Sequence, residues 1–386
     1  MESIKIIELF ILVLLAVILG FILGRTSRSR SVLEFSKRSG RRAYLRGLNY
    51  VLSKEPDKAI AELTKAARIN TDTVEIYQSL GNLFREKGEI DRAIKIHQNI
   101  IGRESIDDNA RIDALMDLGI DYRKAGIFDQ AISTFLNVIE QRPSRLDAHE
   151  HLEKIYEEEK EWEEAIEVQK KIQRLRRSKT RNVLAHLNTE LGKSQAEKGQ
   201  GSQAVKALEE AIELDPTCVD AHLHLGDICF DQGEREKAIQ IWRGIIESQP
   251  KFAFLTYKRL NNAYKAMGKG EMMLGILEDA TRNNPDDIQT LMALGRYCFK
   301  AGDHERAETL LKKVVEKNPR YLEAHQILGD IYFQGERKDE ALASHRNLLQ
   351  IFNPVGMLFH CGSCGYESRE VYWKCPQCKE WDTFEY

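Results

Sequence analysis

At 386 residues the chain is long enough for two or three ordinary domains or for one long repeat array. A net charge of −3 and a pI near 6.4 exclude a global basic field that would recruit nucleic acid. Seven cysteines, four of them in two tight pairs at the end, read as a metal site rather than a disulfide framework, and thiols kept for metal imply a reducing compartment.

The first element is apolar. Leu9 to Gly24 reads LFILVLLAVILGFILG without a charge, and Ile6 and Ile7 extend it past a lone Glu8. A spanning helix needs about 20 mostly apolar residues, and this segment qualifies. The alternative is a cleaved signal peptide. Against it, Lys5 is offset by Glu2 and Glu8, and no small-x-small cleavage site follows. The expectation is a retained anchor over residues 1–24.

A basic collar over residues 25–39 and the residues just beyond comes next: Arg25, Arg28, Arg30, Lys37, Arg38, Arg41, Arg42 and Arg46, opposed only by Glu34. Basic residues beside a span stay cytoplasmic, so the bulk of the chain is expected on the cytoplasmic side of a membrane. The same arginines either hold anionic lipid headgroups, at about 1 kcal/mol each near the surface, or serve as a topology signal with no further role.

Residues 40–353 repeat. Aligned positions are Gly47, Gly81, Gly119, Glu153, Gly192, Gly226, Asn261, Gly295 and Gly329, with gaps of 34, 38, 34, 39, 34, 35, 34 and 34 residues. Twelve residues on lies alanine in every unit except one, where Met273 stands. Three residues on come Tyr50, Phe84, Tyr122, Tyr156, Gln195, Cys229, Tyr264, Cys298 and Tyr332. Five of the eight prolines (Pro143, Pro216, Pro250, Pro285, Pro319) fall between units at one repeat position. This resembles the tetratricopeptide repeat, two antiparallel helices in about 34 residues. Gly and Ala let the pair approach, the aromatic fills the groove, and proline stops the second helix. The fold class is therefore all-α, a tetratricopeptide-repeat superhelix of nine units behind one transmembrane helix. Departures at Glu153, Asn261 and Met273 bear on local packing in their own units. Insertions fall near Gly102–Ala110 and Arg174–Asn182, and the second is basic; a solvated loop is the default reading for such a charge run, and a partner or lipid-headgroup contact is the alternative. The acidic run from Glu157 to Glu164 is read as a solvated face.

Residues 354–386 carry Cys361-Gly-Ser-Cys364 and Cys375-Pro-Gln-Cys378. Two such turns aim four thiolates at one tetrahedral point, so Cys361, Cys364, Cys375 and Cys378 are the expected metal ligands. A redox dithiol is the competing reading of a single pair. The segment is too short for a sufficient core of its own, and metal binding contributes on the order of 10 kcal/mol to folding such knuckles. Its dense aromatics are expected partly to cap the knuckle and partly to dock it on the last repeats. Four sulfurs suit zinc and iron alike. With every coordination position filled by protein, no opening is left for a substrate. Cys229 and Cys298 occupy the groove position and are read as packing; Cys218, in an inter-repeat turn, offers nothing specific. No HExxH motif, phosphate-cradling glycine loop or nucleophile elbow occurs, so no catalytic residue is assigned and the chain is not read as an enzyme.

The Cys-x-x-Cys-Gly-Tyr and Cys-Pro-x-Cys wording resembles rubredoxin, which favours iron over zinc. The whole order of anchor, collar, repeats and knuckle resembles the lipopolysaccharide assembly protein B family, most closely in Gly81–Gln98 and in the Tyr372-Trp373-x-Cys375-Pro376-x-Cys378 ending. That resemblance implies an adaptor in the bacterial inner membrane, facing the cytoplasm. It implies work with the membrane protease FtsH to set the level of the deacetylase LpxC, and gathering of lipopolysaccharide synthesis proteins at the membrane. Rubredoxin-type electron transfer and a general membrane scaffold for another complex are the alternatives. The sequence leaves the oligomeric state open.

Overall fold

A computed structural model describes residues 39–69, 73–177, 182–351 and 358–385. The anchor expected over 1–24 and nearly all of the collar lie outside the described residues, as does Asn182's neighbour segment 178–181 in the basic insertion. Among the described residues no helix is long and apolar enough to cross a membrane.

The expected all-α repeat is what the chain forms. The described helices fall into two compact units, divided at Glu161, with Arg174–Arg176 joining the first unit. The first holds α1 (39–52), α2 (Pro56–Ile69), α3 (Val74–Glu86), α4 (Ile90–Ile101), α5 (Asp108–Lys124), α6 (Phe128–Gln141) and α7 (Leu146–Glu159). After α8 (Trp162–Arg176), the second holds α9 (Asn182–Glu197), α10 (Gly201–Leu214), α11 (Val219–Asp231), α12 (Arg235–Ser248) and α13 (Phe254–Ala266). It continues through α14 (Met272–Asn283), α15 (Ile288–Ala301), α16 (His304–Lys317), α17 (Leu322–Gln334) and α18 (Lys338–Ile351). Each proline of the repeat series stands two residues past a helix that ends at Gln141, Leu214, Ser248, Asn283 or Lys317. Proline lacks the N–H and clashes with the preceding turn, so the helix stops there.

Close approach explains the glycines. A Cβ placed on Gly47, Gly81, Gly119, Gly192, Gly226, Gly295 or Gly329 would press into the residue sixteen positions on: Leu63, His97, Phe135, Leu208, Trp242, Leu311 or His345. At Gly226 that atom would sit 2.2 Å from Trp242 Nε1, and at Gly119 it would sit 2.7 Å from the Phe135 ring. The histidines His97 and His345 are thus packing residues set by repeat position. The groove cysteines are buried as expected, Cys229 and Cys298 at 1% and 2% exposure, and burial pushes both thiols up. Asn261 replaces the glycine and Met273 the alanine in the α13–α14 hairpin, which packs far more loosely than hairpins such as α9–α10, α11–α12 and α15–α16.

In the first unit a polar cluster ties α3, α4 and α5. His97, fully buried, has Nδ1 2.5 Å from Asp121 Oδ2. Arg85 donates to Asp121 at 2.8 Å and to Asp117 at 3.0 Å, and Gln78 donates to Asp117 at 2.8 Å. The acidic run is solvated except at Glu157, whose side chain is buried in α7 together with Glu153.

These contacts set a pair of expectations. Gly226→Ala forces its methyl into Trp242, and overpacking of this kind destabilises by about 1–3 kcal/mol. Gly244→Ala, mid-helix in α12 with nothing within 4 Å of the new Cβ, should be neutral or stabilise by up to about 1 kcal/mol through helix propensity. Denaturant midpoints of the two variants, read by circular dichroism, check the contrast; equal shifts would refute it.

Candidate metal centre

The knuckle is built on three short strands, β1 (Phe359–Cys361), β2 (Glu367–Ser368) and β3 (Phe384–Glu385), ordered β2-β1-β3 and antiparallel throughout. The two cysteine turns repeat one backbone pattern. Gly365 N–H donates to Cys361 C=O at 2.8 Å, and Lys379 N–H donates to Cys375 C=O at 2.9 Å. Cys361 and Cys375 in turn donate to Tyr366 and Glu380. Both turns close through a left-handed residue, Gly365 at φ +73° and Lys379 at φ +63°. Glycine adopts that conformation freely; lysine there carries some strain.

The four sulfurs lie within 4.8 Å of one another. Cys361 Sγ is 3.6 Å from Cys378 Sγ, and Cys364 Sγ is 3.7 Å from Cys375 Sγ. A tetrahedron with metal–sulfur bonds of about 2.3 Å has edges of about 3.8 Å, so the donor set fits one ion. Cys361 and Cys375 are buried, Cys378 is half-buried and Cys364 is exposed.

Their protonation is in conflict without a cation. Burial opposes the Cys361 thiolate, but the Thr383 hydroxyl 3.1 Å away and the backbone N–H groups of Cys364 and Ser363 outweigh it and bring the thiol down to about 6. At Cys378 the Glu380 N–H favours the thiolate, yet burial and the neighbouring sulfurs push the group up to about 12. A bound metal resolves this by deprotonating its ligands outright.

The knuckle seats on the repeats of the second unit. Phe359 stacks on Phe254 at the start of α13, with centroids 6.4 Å apart. Trp373 tilts against Phe252 in the short helical turn Pro250–Phe252. His186 of α9 lies parallel to Trp381, 4.8 Å between centroids, and its Nε2 is 2.7 Å from Asp382 Oδ1. The other ring nitrogen is 3.9 Å from Cys218 Sγ. These contacts fall on the fifth to seventh repeats, which corrects the expected docking on the last ones. The aromatics divide as anticipated: Trp373, Trp381 and Phe359 face the repeats, while Tyr366 and Tyr372 pack edge-on against Phe384 inside the knuckle.

His186 was not singled out by the sequence, and Cys218 was given no role. Neither carries a local signal, since His186 and Asp382 are 196 positions apart. Burial alone would lower the His186 pKa, but the Asp382 bond and the Cys218 contact overcome it and raise the group to about 10.

Comparison with known proteins agrees with this architecture. The rubredoxin metal binding domain matches residues 359–385, and tetratricopeptide repeats match 116–179, 195–255 and 292–352. Lipopolysaccharide assembly protein B of Escherichia coli (strain K12) is 28% identical over 379 residues, covering 98% of this chain and 97% of its own. The likeness to lipopolysaccharide assembly protein B thus runs along nearly the whole chain. The Haemophilus influenzae member is 24% identical over 389 residues, again covering 98% of this chain and 97% of its own. Part of the array is also similar to a crystal structure of MamA, 27% identical across 44% of this chain and 90% of that one, at TM-score 0.33. The four-thiol knuckle lies inside the matched rubredoxin metal binding domain, and a four-sulfur set of this kind suits iron and zinc alike.

Two outcomes are expected here. Stripping the metal with a chelator, or making Cys375→Ser with Cys378→Ser, should release Trp373 and Trp381 to water and red-shift their emission while helical circular dichroism stays nearly unchanged; unaltered fluorescence would refute the coupling of metal to docking. A group whose pKa rises on folding stabilises fully below its unfolded value, about 6.5, and loses that contribution as pH climbs through its folded value, about 10. Knuckle docking should therefore weaken between those two values, and Asp382→Asn should flatten that dependence. A fluorescence–pH profile already flat in the unsubstituted chain contradicts the assignment.

Proposed function

We propose that this chain is a membrane-anchored adaptor in lipopolysaccharide assembly, with residues 1–24 as the inner-membrane anchor, 25–39 as a basic collar, 40–353 as the partner-binding array and 354–386 as the metal knuckle. Its bulk faces the cytoplasm, on the side the collar selects. One observation carries the reading: a helical-repeat array bearing a four-thiol knuckle, similar over 98% of its length to proteins named for lipopolysaccharide assembly.

The physical mechanism is proximity. Anchoring confines the array to a thin layer beside the bilayer, which raises its effective concentration toward membrane partners without any new contact. The array holds a client while the anchor keeps it near FtsH, and the client is the deacetylase LpxC. Cys361, Cys364, Cys375 and Cys378 would hold one ion, iron in the rubredoxin-like reading and zinc as the alternative. That ion supplies folding free energy to a segment whose own core is too small. The residues beside it do the positioning: Trp381 and Asp382 lock onto His186, and Phe359 onto Phe254.

In cells depleted of this chain the deacetylase should persist longer and accumulate. A pulse-chase of LpxC measures it, and an unchanged half-life would remove the proposed client. Restoring the chain with Cys375→Ser and Cys378→Ser should fail to restore turnover although the repeats still fold.

A further inference from the structure

The loosely packed α13–α14 hairpin opens a groove. Its volume is about 710 Å³, and its walls are α13, α14 and α15. The two residues of this hairpin that break the repeat pattern, Asn261 and Met273, both line it, so the cavity lies where glycine and alanine would otherwise have let the helices close. The opening is braced rather than slack. Tyr257 shares a 2.7 Å hydrogen bond with Thr290, joining α13 to α15, and the Tyr297 hydroxyl donates to Gly270 C=O at 3.2 Å.

Its charge is one-sided. Lys258, Lys265, Arg296 and Lys300 line the groove, and no carboxylate does among the described residues. This stands out in a chain with 60 acidic against 57 basic residues. Lys258, Lys265 and Lys300 form no ion pair among the described residues. Arg296 spends one amino group on Glu323 at 2.6 Å, yet its Nε is buried with no hydrogen-bond partner. Between the cations the floor is apolar, from Met273, Leu277 and Met292, and Asn262 stands exposed beside Asn261 on the α13 wall.

We propose that this groove binds an extended, acidic segment of a protein partner. The geometry suits such a chain. An extended peptide rises about 3.3 Å per residue against about 1.5 Å in a helix, so roughly six residues run the length of α13. Alternate side chains point to opposite sides of a strand, placing carboxylates on the lysine rims and apolar groups on the floor. Asparagine amides offer both a donor and an acceptor to the peptide backbone. A bare phosphate or a nucleic acid backbone would use the cations and leave the apolar floor and amides without partners. Phe254 lines the groove and also stacks on Phe359, so the knuckle abuts one end of this site.

The proposal rests on the adaptor reading, because it names the kind of segment that the array holds. The test is fluorescence anisotropy with the metal-loaded full chain in detergent micelles. The probes are a fluorescein-labelled peptide of alternating glutamate and leucine, its lysine–leucine counterpart, and a thymidine oligonucleotide of equal charge. The acidic peptide is expected to bind, to weaken as salt is raised, and to lose about tenfold or more in affinity in a Lys258→Glu, Lys300→Glu double variant. Lys206→Glu, on α10 and 79% exposed, should leave binding unchanged. Binding of the lysine peptide or the oligonucleotide as tight as that of the acidic peptide would overturn the assignment, as would an unaffected double variant whose circular dichroism matches the parent. Deacetylase turnover that depends on the chain while the acidic peptide fails to bind would remove this groove and leave the adaptor standing.

Discussion

Everything regular in the array follows from how closely two helices are allowed to approach. Where the first helix of a hairpin presents glycine, the second lays a large side chain across its backbone: Trp242 over Gly226, Phe135 over Gly119, His97 over Gly81. The chemistry of the covering residue varies from leucine to tryptophan to histidine, while its position, sixteen residues on, does not. The repeat is thus defined less by what fills the contact than by the absence of a Cβ beneath it. Interiors are packed to near-crystalline density, so even one methyl group at that point displaces its neighbour.

That constraint also explains why the array was legible and where it was not. Glycine, alanine and proline recur at fixed spacing because each answers a local steric demand, so the hairpins and their stops could be read directly. The covering residue varies in chemistry, which hides it from a search for like residues at like positions. At two of those positions the covering residue is a histidine, His97 or His345, and its role is to roof a glycine. Glu157 was read with its solvated neighbours because charge dominates a sequence reading, whereas the helix turns it inward at 8% exposure.

The metal site divides along the same line. Four cysteines in two short turns are local chemistry, and the matching backbone bonds at Gly365 and Lys379 show why spacing was enough. The seat of the knuckle is not local. His186 meets Asp382 across 196 positions, and no pattern near either residue announces the other. Docking onto α9, the Pro250–Phe252 turn and α13, rather than onto the last helices, depends on how the chain returns on itself, which composition and period do not encode. Even so, the density of tryptophan and phenylalanine in so short a segment announced that it would be covered by something larger.

Knuckle and repeats are consequently coupled. The second cysteine turn fixes Cys375 against Glu380, and the Asp382 N–H closes back on Trp373 C=O at 2.7 Å, so the same few residues that finish the metal site aim Trp381 and Asp382 at His186. An ion that orders the turn therefore orders the contact, and by reciprocity the contact strengthens the hold on the ion by the same factor. Phe359 extends the coupling to Phe254, whose helix carries Asn261, the residue standing where glycine would have closed the hairpin. A loosened hairpin and the four-thiol knuckle thus meet on one helix, so the order of the knuckle bears on a part of the repeats where packing has been relaxed.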